Sequence, residues 1–237
     1  MSLDALQLTG RSRSHIVDVA VPAFSVHRDV VEPLQAMRAA AAKDGIDLVP
    51  VSSFRDFERQ RAIWNAKFRG ERSILDRDAQ PIDALSLEAA ARVAAIMYWS
   101  AIPGASRHHW GTDLDVIDHA VMPLGAPVSL VPAEFSSTGP FAVLDAWLTT
   151  NMHHFGFFRP YSTRRSGVSP EPWHISYAPL AQQCCRALTP EVLSSAICSA
   201  EVDGREILLQ QIAELHARYI VDVDEPPSIS NSASTGV

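Results

Sequence analysis

Two short segments of this 237-residue sequence each combine histidine with carboxylate side chains. The first, residues 106–118, contains the adjacent His108 and His109 followed by three aspartates. In the second, Glu171 and His174 stand three residues apart. Imidazole and carboxylate groups are common ligands of zinc, so a fold that brings the two segments together would create a metal site.

The first segment can direct a histidine and an aspartate at one point. Residues 113–116 alternate acidic with apolar side chains, which predicts a strand with one buried face. Asp113 and Asp115 share a face of that strand, so at least one of them can point the same way as His108. If the strand predicted at residues 173–177 lies alongside, three ligands and an open fourth position result, as in catalytic zinc sites. The three ligands are then His108, Asp115 and His174.

Glu171 has the chemistry of a general base in such a site. It lies close to His174 in the sequence but is spared from coordination, so it can take a proton from zinc-bound water, whose pKa the metal lowers to about 7. The simpler alternative is that each histidine is an ordinary surface or loop residue. Two segments that both combine histidine with a carboxylate favour the metal site, although spacing alone does not choose between His108 and His109.

A third segment supplies a candidate anion site. A strand is predicted to end at Ser52 and Ser53, and Arg55 follows at the start of a charged helix. A guanidinium group there can combine its bidentate fork with the N-terminal amides of the helix to bind a carboxylate. The alternative is a surface arginine in a charged helix.

The surrounding sequence predicts helices and short strands without regular βαβ alternation, which is typical of an α+β fold. Ser86 and Thr189 are the predicted N-caps of two helices, and residues 70–83 are predicted to form a loop. Three strands are predicted, at residues 47–52, 113–116 and 173–177. Helices are predicted at residues 29–43, 56–68, 87–101, 140–155, 180–187, 189–198 and 205–219.

The composition of the sequence narrows the class of protein. The 27 acidic and 20 basic side chains give a formal charge of −7, which argues against non-specific nucleic-acid binding. No stretch reaches the roughly 18 apolar residues that predict a transmembrane segment. Residues 1–8 lack the basic and apolar regions of an export signal, which predicts a cytoplasmic chain, or a periplasmic one if a signal was trimmed.

The three cysteines lack Cys-x-x-Cys spacing and are predicted to be buried free thiols.

Together, the three segments resemble the VanY-type D-alanyl-D-alanine carboxypeptidases. These are zinc peptidases related in fold to the Hedgehog N-terminal domain and to bacterial murein endopeptidases. The family pattern reads Ser-Gly-Tyr-Arg-Ser…Gln, then Ser-x-His-x-x-Gly-x-Ala-x-Asp, then Glu-x-Trp-His. The sequence has, in the same order, Ser52-Ser-Phe-Arg-Asp with Gln60, then Ser106-Arg-His-His-Trp-Gly-Thr-Asp-Leu-Asp, then Glu171-Pro-Trp-His.

The resemblance, which extends over about residues 39–179, implies a role for each matching residue. It implies that one Zn²⁺ ion is bound by His108, Asp115 and His174, and that Glu171 is the catalytic base. It also implies that Arg55 stabilises the substrate or its developing oxyanion. The positions expected to contact substrate are Gln60, Ser106, Ser52 and Asp113.

Alignment with the family pattern selects His108 rather than His109 as the ligand. The sequence departs from the pattern at two positions. Phe54 replaces the usual tyrosine and lacks its hydroxyl group. Asp113 stands where a small residue is usual, and we expect it to add negative charge close to the metal and to influence substrate preference.

The resemblance also implies an architecture, an α+β fold in which a small antiparallel sheet carries the zinc site and helices pack around it. We expect residues 1–14 to form an arm and residues 15–180 to form the zinc peptidase core. Residues 181–220 are expected to form a helical extension packed on that core. Residues 221–237 have the polar composition of a disordered tail.

The function implied is hydrolysis of the C-terminal D-amino-acid peptide bond of peptidoglycan stem peptides or muropeptides. One alternative is an endopeptidase or amidase of the same fold that acts within the peptide cross-link. Another is a non-catalytic, zinc-stabilised domain that binds peptides. Glu171 argues against this last alternative, because a binding module has no need of an unliganded acid beside the metal.

Overall fold

The computed structural model describes residues 2–122 and 128–227. The strands in these ranges are β1 (Ile16–Val19), β2 (Phe24–His27), β3 (Leu48–Ser52), β4 (Ile74–Leu75), β5 (Pro81–Ile82), β6 (Asp113–Asp118), β7 (Phe157–Phe158) and β8 (His174–Tyr177). The helices there are α1 (Ala5–Leu8), α2 (Val31–Lys43), α3 (Phe57–Phe68), α4 (Ala89–Met97), α5 (Ala142–Asn151), α6 (Ala178–Ala187), α7 (Pro190–Cys198), α8 (Arg205–Gln210) and α9 (Ile212–His216).

A four-stranded antiparallel sheet in the order β3-β6-β8-β7 forms the centre of the molecule. The three strands predicted from the sequence are confirmed as β3, β6 and β8. Pro50 lies in β3, an edge strand, where the missing backbone N–H interrupts no inner pairing. The α+β prediction is therefore confirmed, with the small antiparallel sheet that it required.

Strand β6 is buried on both faces, and its alternating side chains meet an apolar environment on one face and a polar one on the other. Leu114 and Val116 point into an apolar cluster that also contains residues of α2 and α5. Asp113 and Asp115 point to the opposite face, because successive side chains of a strand alternate. One face of the sheet is thus part of the core, while the other presents carboxylates.

A second apolar cluster joins the C-terminal helices to α3 and α4. Trp64 of α3 is fully buried there, and its indole N–H donates to the carbonyl of Asp203 at 2.9 Å. The cluster contains Leu8 from the predicted arm as well as Leu193 from the predicted extension. The boundaries at residues 14, 180 and 220 stay predictions, and apolar packing crosses the first two of them.

Some local structure differs from the sequence predictions. Residues 70–83, predicted as a loop, contain the short ribbon β4–β5. Ser86 does not cap α4. It ends a one-turn helix, Ala84–Ser86, whose N-terminus is capped by the Asp83 carboxylate instead. The side chain of Thr189 does cap α7, as predicted.

Two further features differ from the sequence predictions. The β1–β2 hairpin has four residues in each strand, too few for a periodic signal. The helix predicted at residues 205–219 is interrupted at Gln211, which leaves the helical conformation between α8 and α9.

The remaining sequence predictions concern thiols, membrane spans and the tail. Cys184, Cys185 and Cys198 are free, as predicted, but only Cys184 is buried. Within the described residues, no helix combines the length and apolarity needed to cross a membrane. Residues 228–237, which belong to the predicted disordered tail, lie outside the described residues.

Candidate metal centre

The register of the sheet brings two of the predicted ligands together. Asp115 of β6 and His174 of β8 are directly opposed in the antiparallel pair. His108 enters from a one-turn helix, Arg107–Trp110, that precedes β6. Gly111 ends this turn with a φ of +68°, and a Cβ there would lie 2.6 Å from the backbone nitrogen of His27. Only glycine fits this conformation and approach, so it sets the path from His108 into β6.

The three side chains converge on one buried point. Nε2 of His108 lies 3.4 Å from Oδ2 of Asp115, and Nδ1 of His174 lies 3.2 Å from Oδ1 of the same carboxylate. One ligand atom from each residue can be chosen so that all lie within 4.8 Å of one another. Nδ1 of His108 is 3.0 Å from the carbonyl oxygen of Ser53. Donation to that carbonyl leaves the lone pair of Nε2 directed at the site.

The environment of His174 shows that this donor set fits a cation. Nε2 of His174 lies 3.0 Å from Oδ1 of Asp113, and donation there leaves a lone pair on Nδ1. That lone pair faces Oδ1 of Asp115 and Oε2 of Glu171, the latter at 3.3 Å. Oδ1 of Asp115 is buried without a hydrogen-bond partner. Acceptors that converge without a donor leave a position for a metal ion, and two imidazoles with one carboxylate suit zinc.

Electrostatics of the cluster favour positive charge at this position, which a proton on Nδ1 of His174 supplies when no metal is bound. Burial disfavours the charged form of His174, yet its contacts with Asp113, Asp115 and Glu171 outweigh burial and raise its pKa well above the ordinary value. Burial raises the pKa of Glu171, although His174 opposes the shift. A carboxylate whose pKa is raised in a cavity has the property expected of a general base.

Asp113 lies behind the site rather than in it. It is fully buried, and Oδ1 accepts a hydrogen bond from Nε of Arg107 at 2.7 Å as well as contacting His174. Arg107 also donates to the hydroxyl of Ser176, and Thr112 donates to Oδ2 of Asp113. Among the described residues, Asp113 is not one of those that line the cavity beside the metal centre, and its side chain contacts Arg107, Thr112 and His174.

Arg55 reaches the cavity, and two of the predicted substrate contacts hold it there. Its guanidinium donates to Oε1 of Gln60 at 2.7 Å and to the hydroxyl of Ser52 at 3.0 Å. Gln60 is fully buried and also donates to the carbonyl of Ala101. Gln60 and Ser52 therefore orient Arg55 and do not line the cavity themselves.

The structure separates the two adjacent histidines. The backbone N–H of Gly104 donates to Nε2 of His109, so Nδ1 of His109 donates to the carbonyl of Arg55 at 2.6 Å. Burial lowers the pKa of His109 to about 3, which keeps the ring neutral. His108 faces the metal centre, whereas His109 supports the backbone that carries Arg55.

A cavity of about 390 Å³ opens beside the metal centre. Ser106 lines it, as expected of a substrate contact, together with Arg55 and Glu171. Sequence reasoning missed other wall residues, including Lys67, Tyr161 and Tyr219. Lys67 follows Gln60 at helical spacing, a signal that could have found it. Nothing in the sequence connects Tyr219 with the site, since packing of the C-terminal helices brings it there.

Comparison with known proteins agrees with this geometry. The family model of VanY, D-alanyl-D-alanine carboxypeptidase, matches residues 23–180. An uncharacterised protein of Haemophilus influenzae is 38% identical over 122 residues, 51% of this chain and 93% of that protein. A D-alanyl-D-alanine carboxypeptidase of Enterococcus faecalis is 29% identical over 147 residues, 61% of this chain and 45% of that protein.

Solved structures show the same fold. VanYB in complex with D-alanine-D-alanine is 22% identical with a TM-score of 0.52, covering 78% of this chain and 89% of that one. A variant of the vancomycin resistance D,D-pentapeptidase VanY in complex with Zn(II) is 23% identical with a TM-score of 0.50, covering 83% and 92%. The family match includes all three sequence segments that form the site. The chain therefore belongs to the VanY family of D-alanyl-D-alanine carboxypeptidases.

Proposed function

We propose that this protein is a zinc-dependent carboxypeptidase that hydrolyses the C-terminal D-amino-acid peptide bond of peptidoglycan stem peptides. The observation that carries the proposal is the buried convergence of His108, Asp115 and His174, with the Glu171 carboxylate 3.3 Å from His174. Membership of the VanY family supports the substrate class. The complexes of VanYB with D-alanine-D-alanine and of VanY with Zn(II) support the ligand and the metal.

Each side chain of the site has a chemical task in this reaction. Zinc held by the three ligands supplies a Lewis acid and lowers the pKa of water. Glu171 accepts a proton from the attacking water at its carboxylate and delivers it to the nitrogen of the leaving amino acid. Arg55 donates to the carbonyl oxygen as negative charge develops on it, a contribution worth about 2.7–4 kcal/mol for a single well-placed donor.

Several buried side chains hold the reactive groups of the site in position. Gln60 and Ser52 fix the Arg55 guanidinium, and Asp113 fixes the ring of His174. A hydrogen-bond donor that is already oriented costs no reorganisation when charge appears in the transition state. We therefore assign Gln60, Ser52 and Asp113 to orientation, and leave Ser106 as a substrate contact.

Digestion of muropeptides tests the function. The zinc-loaded protein is expected to release D-alanine from stem peptides that end in D-alanyl-D-alanine, because the metal, the base and the oxyanion donor are assembled around one cavity. A chelator should stop the release, and added zinc should restore it. His108→Ala should behave as the chelated protein does, whereas His154→Ala, at an exposed position, should leave release unchanged.

The products decide between the alternatives. Cleavage within the cross-link, without release of a terminal residue, would make the protein an endopeptidase or amidase. Zinc binding with no cleavage of any stem peptide would favour a non-catalytic peptide-binding domain. Release of D-alanine that persists in the chelator would contradict the metallopeptidase proposal.

A further inference from the structure

A segment outside the family match packs against the loop that leads to the proposed base. Residues 217–224, the strap, lie against residues 159–170, the base loop, which joins β7 to Glu171. Tyr219 and Ile220 of the strap line the cavity beside the metal centre. The family match includes the base loop but not the strap, and the roles described above make no use of the strap.

Asp224 of the strap holds the beginning of the base loop. Its carboxylate accepts hydrogen bonds from the backbone N–H and the hydroxyl of both Ser162 and Thr163 at 2.6–2.8 Å, and from Nε of Arg165 at 2.8 Å. Its backbone N–H donates to the carbonyl of Pro160 at 2.9 Å. Burial raises the pKa of Asp224, but these hydrogen bonds outweigh burial and hold the pKa below its ordinary value. Hydrogen bonds to an ionised carboxylate are roughly twice as strong as neutral ones, so Asp224 restrains this part of the loop.

The strap also contacts later residues of the base loop. Asp222 forms an ion pair with Arg165 at 2.9 Å, and Nε of Arg218 donates to the carbonyl of Ser166 at 2.8 Å. A Cβ on Gly167 would collide with the carbonyl oxygen of Arg218, so only glycine permits this close approach. The strap is thus attached along much of the base loop.

The base loop connects these contacts with the metal centre. The carbonyl of Tyr161 accepts a hydrogen bond from the backbone N–H of Glu171 at 2.9 Å. The Tyr161 ring lies edge-on to the ring of His174, with the centroids 5.1 Å apart. Tyr161 directly precedes Ser162, which Asp224 holds. A movement of the loop at Ser162 would therefore reach both the backbone of Glu171 and the ring beside His174.

We propose that Asp224 is a positioning residue for the hydrolysis reaction, which acts through the base loop to hold the Glu171 carboxylate in place for proton transfer. The proposal rests on the proposed function and gives the strap a task in the reaction. Reactive groups must be placed accurately, since a misplacement of about 1 Å, caused by a change far from the chemistry, can cost about 100-fold in rate. A strap that only stabilised the fold would leave the rate of the folded protein unchanged.

Replacement of Asp224 tests the positioning role in the zinc-loaded protein. At a temperature well below the unfolding midpoint of the variant, Asp224→Ala should lower kcat for release of D-alanine from a stem pentapeptide by about 10- to 100-fold. KM should stay nearly unchanged, because the lost interaction acts on the transition state. Zinc content should equal that of the wild type. Asp224→Asn keeps one acceptor oxygen and should retain an intermediate kcat.

A matched control and an independent variant make the result specific. Asp78→Ala removes the partner of Arg164 in the same loop, but that ion pair is exposed, so kcat should match the wild type. Gly167→Ala forces the strap away from the loop while Asp224 is intact, and it should reproduce the loss of kcat.

Hydrogen exchange measures the positions of the backbone directly. In Asp224→Ala, the amides of Ser162 and Thr163 should exchange faster because their acceptor is gone. The amide of Glu171, which donates to Tyr161, should also exchange faster, whereas amides of the central sheet should keep their protection.

The possible results separate the failure of the positioning role from the failure of the function. A wild-type kcat in Asp224→Ala would overturn the proposal. A lower kcat that came with matching loss of zinc, or with lost protection of the central sheet, would assign Asp224 to stability and overturn it as well. Absence of D-alanine release by the wild type would overturn the proposed function instead. Exchange at the Glu171 amide would then decide alone whether the strap positions this residue.

Discussion

Replacement of Glu171 by alanine is expected to abolish turnover and to leave zinc bound. The Glu171 carboxylate faces the space between His108, Asp115 and His174 but is not needed to complete a three-residue donor set. Its loss removes the group that moves the proton, and a positioned general base contributes about 10²- to 10⁴-fold to the rate. Release of D-alanine from a stem pentapeptide and zinc content by elemental analysis measure the two halves of this prediction.

A matched variant makes the Glu171 result specific. Glu206→Ala changes an exposed glutamate of α8 and should leave both turnover and zinc unchanged. Loss of zinc from Glu171→Ala would show that Glu171 is a ligand, and the roles given to the carboxylates would then be wrong. Full turnover in Glu171→Ala would place the base elsewhere.

Replacement of Asp113 by alanine is expected to destabilise the protein and to weaken zinc binding. The side chain of Arg107 is only 5% exposed and would be left as a buried charge without its carboxylate. Breaking a buried ion pair in this way costs about 3–5 kcal/mol. Loss of the carboxylate behind His174 should also weaken zinc affinity by about 10- to 100-fold, as for other hydrogen-bond partners of metal-bound histidines. Thermal unfolding and a competitive zinc titration measure the two effects.

Companion variants distinguish a supporting carboxylate from a ligand. Asp18→Ala removes a carboxylate from an exposed ion pair with Arg13 and should leave stability and zinc affinity nearly unchanged. Asp115→Ala should remove zinc altogether. If Asp113→Ala and Asp115→Ala lost zinc equally, the ligand set would not be the one described here. The double variant Arg107→Met with Asp113→Leu should recover part of the stability, since no buried charge then remains unpaired.

The metal centre could be predicted from the sequence because its ligands lie in two short motifs, and each motif is on or beside a predicted strand. Asp115 and His174 lie in strands whose hydrophobic alternation fixes which side chains share a face, and antiparallel register then opposes them. Spacing could not choose between His108 and His109. That choice needed the family resemblance. In the structure, the His108 ring contacts the carbonyl of Ser53 and faces the metal centre, whereas the His109 ring contacts the carbonyl of Arg55.

The role of Asp113 could not be predicted from its position in the motif. An added carboxylate beside a metal ligand suggests an effect on substrate. In the structure, however, Arg107, six residues earlier, neutralises it and both are buried. The pairing depends on how the one-turn helix at Arg107–Trp110 folds back over β6, which strand alternation does not reveal.

The walls of the cavity were the least predictable part. Lys67 follows Gln60 at helical spacing on α3, but Tyr219 is far from the motifs in sequence, and tertiary packing alone brings it beside the metal centre. The β1–β2 hairpin was missed for a related reason, because four-residue strands carry almost no periodicity. Prediction succeeded for metal-ligating residues that lie on or beside a regular strand. It failed for side chains whose place in the cavity wall depends only on long-range contacts.

X-ray diffraction from crystals of the zinc-loaded protein, recorded on both sides of the zinc absorption edge, locates the metal without reference to activity. We expect one strong anomalous peak per chain, within about 2.0–2.2 Å of Nε2 of His108, Nδ1 of His174 and a carboxylate oxygen of Asp115. Glu171 should lie next to this peak but outside bonding distance. A peak elsewhere, or no zinc bound between these three side chains, would contradict the assignment of this site as the catalytic metal centre.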